Sequence, residues 1–155
     1  MLRTFWENVI LPLVVRPSRF QVAALCYRNA GAQVQVLVIT SRDTGRWILP
    51  KGWPKRGFDA GGTALEEAWE EAGVKSDGTP PRMIGTYRYD KRLKGGVPVT
   101  TDVEVFAIPV VKLLDDFPEA AERTREWMTP EDAANVVDEP GLKALLRDLP
   151  VTVTG

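Results

Sequence analysis

Apolar and polar positions along the chain predict strands at the front, one amphipathic helix in the middle and helices at the end. Phe20 to Tyr27 is an apolar run and reads as a strand, and Arg28-Asn29-Ala30-Gly31 reads as the hairpin turn that closes it. Gln33 to Thr40 alternates, with Val34, Val36 and Val38 on one face. A polar turn over Ser41 to Gly45 leads into a brief strand, Trp47-Ile48-Leu49, that stops at Pro50. Residues 51 to 62 are rich in glycine and proline and predict a loop running into a helix from about Ala60 to Ala72. Asp59 is the expected N-cap of that helix and Gly73 its C-terminal stop. After a loop over Ser76 to Pro81, Met83 to Arg92 and Val97 to Val111 read as longer strands around a Lys94-Gly95-Gly96 turn. Leu113 to Arg123 is acidic and poorly patterned and reads as a loop or a short irregular helix. Thr129-Pro130 starts a helix through about Val136, Asp138 to Pro140 starts another to about Leu149, and the tail from Pro150 reads as frayed or strand-like. Strands followed by helices imply an α+β fold, helices layered on a mixed sheet.

The 155 residues suit one domain, with 1–19 as an N-terminal extension. Hydrophobic residues at 44% and charged residues at 26% are those of an ordinary soluble protein. A net charge of -1 gives no global field to recruit nucleic acid or an anionic membrane. The apolar stretch Val9 to Val15 contains Pro12 and falls far short of the ~20 residues a spanning helix needs, and no secretory leader is expected. The single Cys26 cannot form an internal disulfide, lies in an apolar run, and fits core packing in a reducing, cytoplasmic compartment.

The chain has no histidine. This excludes histidine triads and imidazole metal sites, and leaves carboxylates, lysine, tyrosine and one thiol for chemistry. On the central helix, at about 100° per residue, Glu67, Glu70 and Glu71 fall within an arc of roughly 100°. Ala64, Leu65, Ala68 and Ala72 fall opposite and should face the core. Three carboxylates one turn apart repel, and a divalent cation would convert that repulsion into coordination. Oxygen ligands favour magnesium or manganese. An acidic solvated face is the alternative reading of the spacing alone.

The spacing does not stand alone. Gly52, Glu67, Ala68, Glu70, Glu71, Gly73 and Val74 match the signature box of the Nudix family with every interval intact over residues 52–74. The lead-in Ser41-Arg42 through Arg46-Trp47-Ile48-Leu49-Pro50-Lys51-Gly52 resembles diphosphoinositol polyphosphate and diadenosine polyphosphate hydrolases, and the likeness extends over about residues 20 to 148. The resemblance implies an α/β/α sandwich with a central catalytic helix. It also implies a magnesium- or manganese-dependent hydrolase that cuts a phosphoanhydride bond in a phosphorylated small molecule, of dinucleoside polyphosphate or inositol pyrophosphate type, acting as a monomer or homodimer. Glu70 and Glu71 then resemble the core metal ligands. Glu67 is a further ligand that can also activate water, and the Gly52 carbonyl is an additional ligand. Asp102 and Glu104 are weaker candidates for the base, with a polar outer face as the alternative.

Two box positions depart. The first box glutamate is Phe58 and the box arginine is Glu66. Both members of an expected charge pair are therefore missing together, which is milder than stranding one. Phe58 could pin the loop by packing, and Glu66 is expected to point to solvent. The departures keep a second reading open, a catalytically silent ligand sensor or partner-binding module. Arg42, Arg46, Lys51, Lys55 and Arg88 are the candidate phosphate-gripping residues, with Arg56, Lys91, Arg92 and Lys94 as further basic neighbours. Trp53 or Tyr87 could stack on a base. Trp127, in Arg125-Glu126-Trp127, is expected to anchor the last helix to the sheet.

Overall fold

The computed structural model describes residues 19–92 and 96–154. Most of the expected N-terminal extension and the Lys94-Gly95 part of the expected turn lie outside the described residues. The strands are β1 (Arg19–Ala30), β2 (Gln33–Thr40), β3 (Trp47–Ile48), β4 (Lys51–Gly52), β5 (Val74–Ser76), β6 (Arg82–Arg92), β7 (Pro98–Leu113) and β8 (Arg125–Met128). Three helices accompany them: α1 (Ala60–Ala72), α2 (Pro130–Val136) and α3 (Pro140–Thr154).

The sheet runs β3-β2-β1-β7-β5, with β4 also pairing β1, β6 pairing β7 and β8 pairing β2. β1 and β7 are parallel, from Arg19↔Thr101 to Tyr27↔Pro109, and the other pairs are antiparallel. The sheet is therefore mixed. Both of its faces are covered, which explains why β1 reads as an unbroken apolar run. On one face Ala23, Leu25, Val36, Val38, Val103 and Val105 pack against Ala133, Val137, Leu142 and Leu146 of the terminal helices and their junction. On the other, Val22, Ala24, Cys26, Leu37, Ile39 and Ile108 pack against Ala64, Ala68 and Ala72 of α1. Adjacent residues of one strand thus serve opposite layers, as period-two geometry requires, and the fold is the expected α/β/α sandwich.

The caps form as the sequence predicts. Asp59 accepts from the Gly62 N–H at 2.7 Å, and Gly73 closes α1 at φ 67. Thr129 caps α2, with Pro130 in its first turn. Five expectations change. Lys51-Gly52, expected to open a loop, pairs with β1 as the short strand β4. The first hairpin turn is Gly31-Ala32, because β1 continues to Ala30 and pairs with Gln33, leaving a two-residue loop with glycine at positive φ in first place. Val74–Ser76 forms a short strand against β7. Backbone helix continues through Pro150 to Thr154 instead of fraying. Finally, Arg125–Met128 is a strand on β2, and its alternation sends Trp127 to the α1 layer and Met128 to the layer of the last helices. Trp127 therefore braces α1's side of the sheet, where the Arg28 guanidinium stacks 4.2 Å from its ring centre, and does not anchor the last helix.

Candidate active site

Small residues let α1 approach the sheet closely, and this sets the site. Ala64, Ala68 and Ala72 are fully buried along one stripe of the helix. The β4 pairing Val22↔Gly52 and Ala23↔Lys51 holds the Lys51-Gly52 backbone beside the acidic stripe. The contact at Gly52 is so close that a Cβ built there would lie 2.5 Å from Glu67 Cδ and 2.6 Å from Oε1. Glycine at 52 is thus a steric requirement of the Glu67 carboxylate. The neighbouring Lys51 N–H donates to Glu71 Oε1 at 3.2 Å.

Glu67 and Glu71 are each only 6% exposed, and Glu70 is half-buried at the rim. Burial pushes the Glu71 carboxyl up to about 9, reinforced by a hydrogen bond with Glu67 and repulsion from it, and opposed by Arg123 and the Lys51 N–H. The Lys55 ammonium sits between the other carboxylates, 3.2 Å from Glu67 Oε1 and 2.8 Å from Glu70 Oε1. Partial burial works against that charge. The hydrogen bonds it donates to Glu70 and Glu67 outweigh it and hold Lys55 above its ordinary pKa. Among the described residues no three acidic side chains are drawn together into a ready-made metal cage; burial and the neighbouring Glu67 favour the protonated form of Glu71, and the Lys55 ammonium lies between Glu67 and Glu70. An all-oxygen donor set that already gathers an ammonium fits a hard divalent ion, and Glu67, Glu70 and Glu71 are the residues that would hold it beside the Gly52 backbone.

The charge support that the box lacks comes from elsewhere. Glu66 is half-exposed and joins no ion pair among the described residues. Arg123, only 7% exposed at its side chain, lies 3.7 Å from Glu71 Oε1, holds Glu119 at 2.7 Å and donates to the Thr40 carbonyl. Arg125 donates to the Ala72 and Leu114 carbonyls, placing a cation at the negative end of α1. Phe58 is 48% exposed and lies against Gly62, so its packing on the loop is slight. Arg123 carried no sequence signal, since it stands in the unpatterned acidic stretch.

The basic candidates disperse. Lys55 joins the carboxylates. The Lys51 ammonium lies 5.4 Å from the Tyr89 ring centre. Arg46 binds Glu139 at 2.7 Å and approaches Asp138 at 4.0 Å. Arg42 lies at the surface beside Glu119 and Glu122. Arg88 holds Asp102 at 2.7 Å. The side chains of Lys91, Arg92 and Lys94 lie outside the described residues. Tyr87 is buried in the core, which leaves it no open face for a base, whereas Trp53 is 38% exposed.

A capped glutamate helix docked on a Lys-Gly backbone, within a mixed sheet layered by helices, defines the phosphohydrolase class of site. The sequence profile of the NUDIX domain matches residues 17–149, and the chain belongs to the Nudix family of hydrolases. Among curated relatives, human diphosphoinositol polyphosphate phosphohydrolase 3-beta is 34% identical over 119 residues, 76% of this chain and 68% of the relative. The Bos taurus protein of the same name is 33% identical over the same shares. In fold, the chain is similar to a C. elegans Ap4A hydrolase binary complex, at TM-score 0.69, 21% identity, and 88% and 98% coverage of the two chains. It is also similar to the NUDIX domain of Shewanella oneidensis NrtR complexed with ADP ribose, at TM-score 0.66, 16% identity, and 98% and 100% coverage. Among the described residues no helix is long and apolar enough to cross a membrane.

Proposed function

We propose that this chain is a cytoplasmic, Mg2+- or Mn2+-dependent hydrolase that cuts a phosphoanhydride bond in a dinucleoside polyphosphate or an inositol pyrophosphate. The carrying observation is the packing of Glu67 and Glu71 against the Lys51-Gly52 backbone, with the Lys55 ammonium between Glu67 and the rim carboxylate Glu70. The names of the relatives, phosphohydrolases of diphosphoinositol polyphosphates and an Ap4A hydrolase, support the two substrate classes.

Glu67, Glu70, Glu71 and the Gly52 carbonyl would hold the ion, which would supply acidification of water and neutralisation of charge on the phosphate oxygens. Glu67, pinned against Gly52, accepts the proton of the water that attacks phosphorus. Arg123 and the Lys51 N–H keep Glu71 oriented. Lys55, once relieved of Glu67 and Glu70, turns its ammonium to the phosphate chain as a point charge.

The test is Mg2+- and Mn2+-dependent release of product from diadenosine tetraphosphate and a diphosphoinositol polyphosphate, with Glu71→Gln as the blank. Turnover by the unaltered chain and none by the variant is expected. Tight binding of a substrate without turnover by the unaltered chain would replace this reading with the sensor, which the departures at Phe58 and Glu66 keep open.

A further inference from the structure

Lys55 lies along the glutamate stripe of α1, and its backbone is fixed there from both sides. Its N–H donates to the Thr63 hydroxyl at 3.2 Å, and its carbonyl accepts from the Phe58 N–H at 3.1 Å. Thr63 is fully buried, and Gly57, at φ 87, lets the chain turn between Lys55 and Phe58. Thr63, Glu67 and Glu70 follow one another along a single face of the helix. The Lys55 backbone is thus tied to the first of the three. Its ammonium reaches the other two, 3.2 Å from Glu67 Oε1 and 2.8 Å from Glu70 Oε1.

Arg123 and Lys55 both reach the acidic stripe, and they differ in freedom. The Arg123 side chain is buried and binds Glu119 at 2.7 Å and the Thr40 carbonyl at 3.0 Å, so it stays in place. The Lys55 side chain is 27% exposed and carries its charge on a flexible four-carbon stem. Its ammonium can therefore leave Glu67 and Glu70 while its backbone remains on Thr63. A divalent ion needs those same two carboxylates, and they cannot serve both cations. Lys55 must then yield, and its fixed backbone keeps the released ammonium within a stem's length of the ion. Like charges at that range repel, and partial burial weakens the screening. A phosphate chain removes the penalty, because its oxygens accept from the ammonium and carry the opposite charge. Arg42, Arg46 and Arg88 are engaged elsewhere, with Glu119 and Glu122, with Glu139 and with Asp102. The cation released at that moment is Lys55.

We infer that Lys55 is a place-holding cation that makes metal and phosphate uptake interdependent: the site takes a divalent ion and a phosphate chain as one complex and binds each of them weakly by itself. The inference rests on the hydrolase reading above for the role of Glu67 and Glu70 as metal holders. It makes Lys55 a specificity-determining residue, since a ligand without negative charge leaves the released ammonium facing the ion.

Mn2+ binding at buffered free-ion concentrations, followed by spin resonance with and without methylenediphosphonate, tests the linkage without requiring turnover. This anion is a non-cleavable stand-in for the phosphate chain. In the unaltered protein it is expected to tighten Mn2+ binding about 100-fold, and in Lys55→Met about tenfold or less, because the variant holds the bare ion more tightly and the complex less so. Equal factors in the two proteins overturn the inference, as does a Lys55→Met protein that binds Mn2+ more weakly when no anion is present. Should the variant fail to fold, acetic anhydride labelling of the unaltered protein, read at Lys55 by mass spectrometry, decides instead. Mg2+ alone is expected to raise the labelling rate severalfold, and Mg2+ with methylenediphosphonate to return it below the metal-free rate. Labelling that ignores the metal, or that the anion does not suppress, overturns the inference. Cleavage of diadenosine tetraphosphate together with equal factors would remove this inference and leave the hydrolase reading intact. Lys55-dependent linkage without hydrolysis of any phosphoanhydride would sink the hydrolase reading and leave this one standing.

Discussion

Replacing Gly52 by alanine tests the site at its tightest contact. The new Cβ would lie 2.5 Å from Glu67 Cδ, 2.6 Å from Oε1 and 2.7 Å from Oε2. Non-bonded carbons settle at about 3.5–4.0 Å, so the carboxylate must retreat by about 1 Å. The yielding group is the end of a flexible side chain, and the Gly52 backbone is not left-handed. Folding is therefore expected to survive, with the melting temperature within about 4 °C of the parent, the effect of ~1 kcal/mol in a domain of this size. Activity is expected to suffer far more. A misplacement of ~1 Å in a reacting group costs about 10²-fold, which is ~2.7 kcal/mol of transition-state stabilisation. The assay is metal-dependent product release from whichever polyphosphate substrate the chain turns over, read beside the thermal melt. Gly61→Ala serves as the control. Its Cβ would sit 3.5 Å from Pro81, an ordinary contact, and alanine inside α1 gains ~0.5–1 kcal/mol. A Gly52→Ala protein that folds and keeps kcat/KM within threefold of the parent would refute the assignment of Glu67.

Three further outcomes follow from the same geometry. Glu71 is raised from 4.5 to about 9, so between those limits the metal-free folded chain holds a proton that the unfolded chain has released; stability should be full below pH 4.5 and fall as pH rises toward 9. Urea midpoints in chelator at pH 5 and pH 8 measure this, Glu71→Gln should flatten the difference, and a midpoint that climbs with pH would contradict the buried pairing. Lys55→Met removes the ammonium that competes with a metal ion for Glu67 and Glu70, and should tighten Mn2+ binding roughly tenfold, about 1.4 kcal/mol; a manganese titration by spin resonance that shows weaker binding would argue against a shared position. Gly73→Ala must adopt φ 67 and drive a Cβ to 2.5 Å from Phe117 and 2.6 Å from the Leu114 carbonyl. A loss of about 3 kcal/mol or more is expected, seen as a melting temperature lower by roughly 6–12 °C, and a smaller change would mean that the helix end relaxes freely.

Local patterns carried much of the fold. Asp59, Gly73, Thr129 and Pro130 act through contacts within a turn of themselves, so the helix ends they mark were readable without tertiary information. The stripe of Ala64, Ala68 and Ala72 and the opposed glutamates follow from the helical period alone. The turn falls at Gly31-Ala32, later than expected, because the polar residues Arg28 and Asn29 suggest a loop whereas strand pairing carries β1 on to Ala30. Trp127 lies in the layer opposite to the expected one for a related reason. In a strand one step of register exchanges the two faces, and only its pairing with Leu37 fixes that step.

By itself the sequence determined a mixed α+β domain with a capped, three-glutamate helix beginning shortly after the Lys51-Gly52 pair, because caps, periodicity and the box intervals are local. Only the tertiary structure decided how the site's charge is balanced. Arg123 reaches Glu71 from 52 residues downstream, and Arg46 meets Glu139 across 93 residues. Those pairings exist because β8 returns to β2 and α3 begins beside the end of β6. No spacing along the chain encodes a contact between groups that the sheet brings together only when it closes.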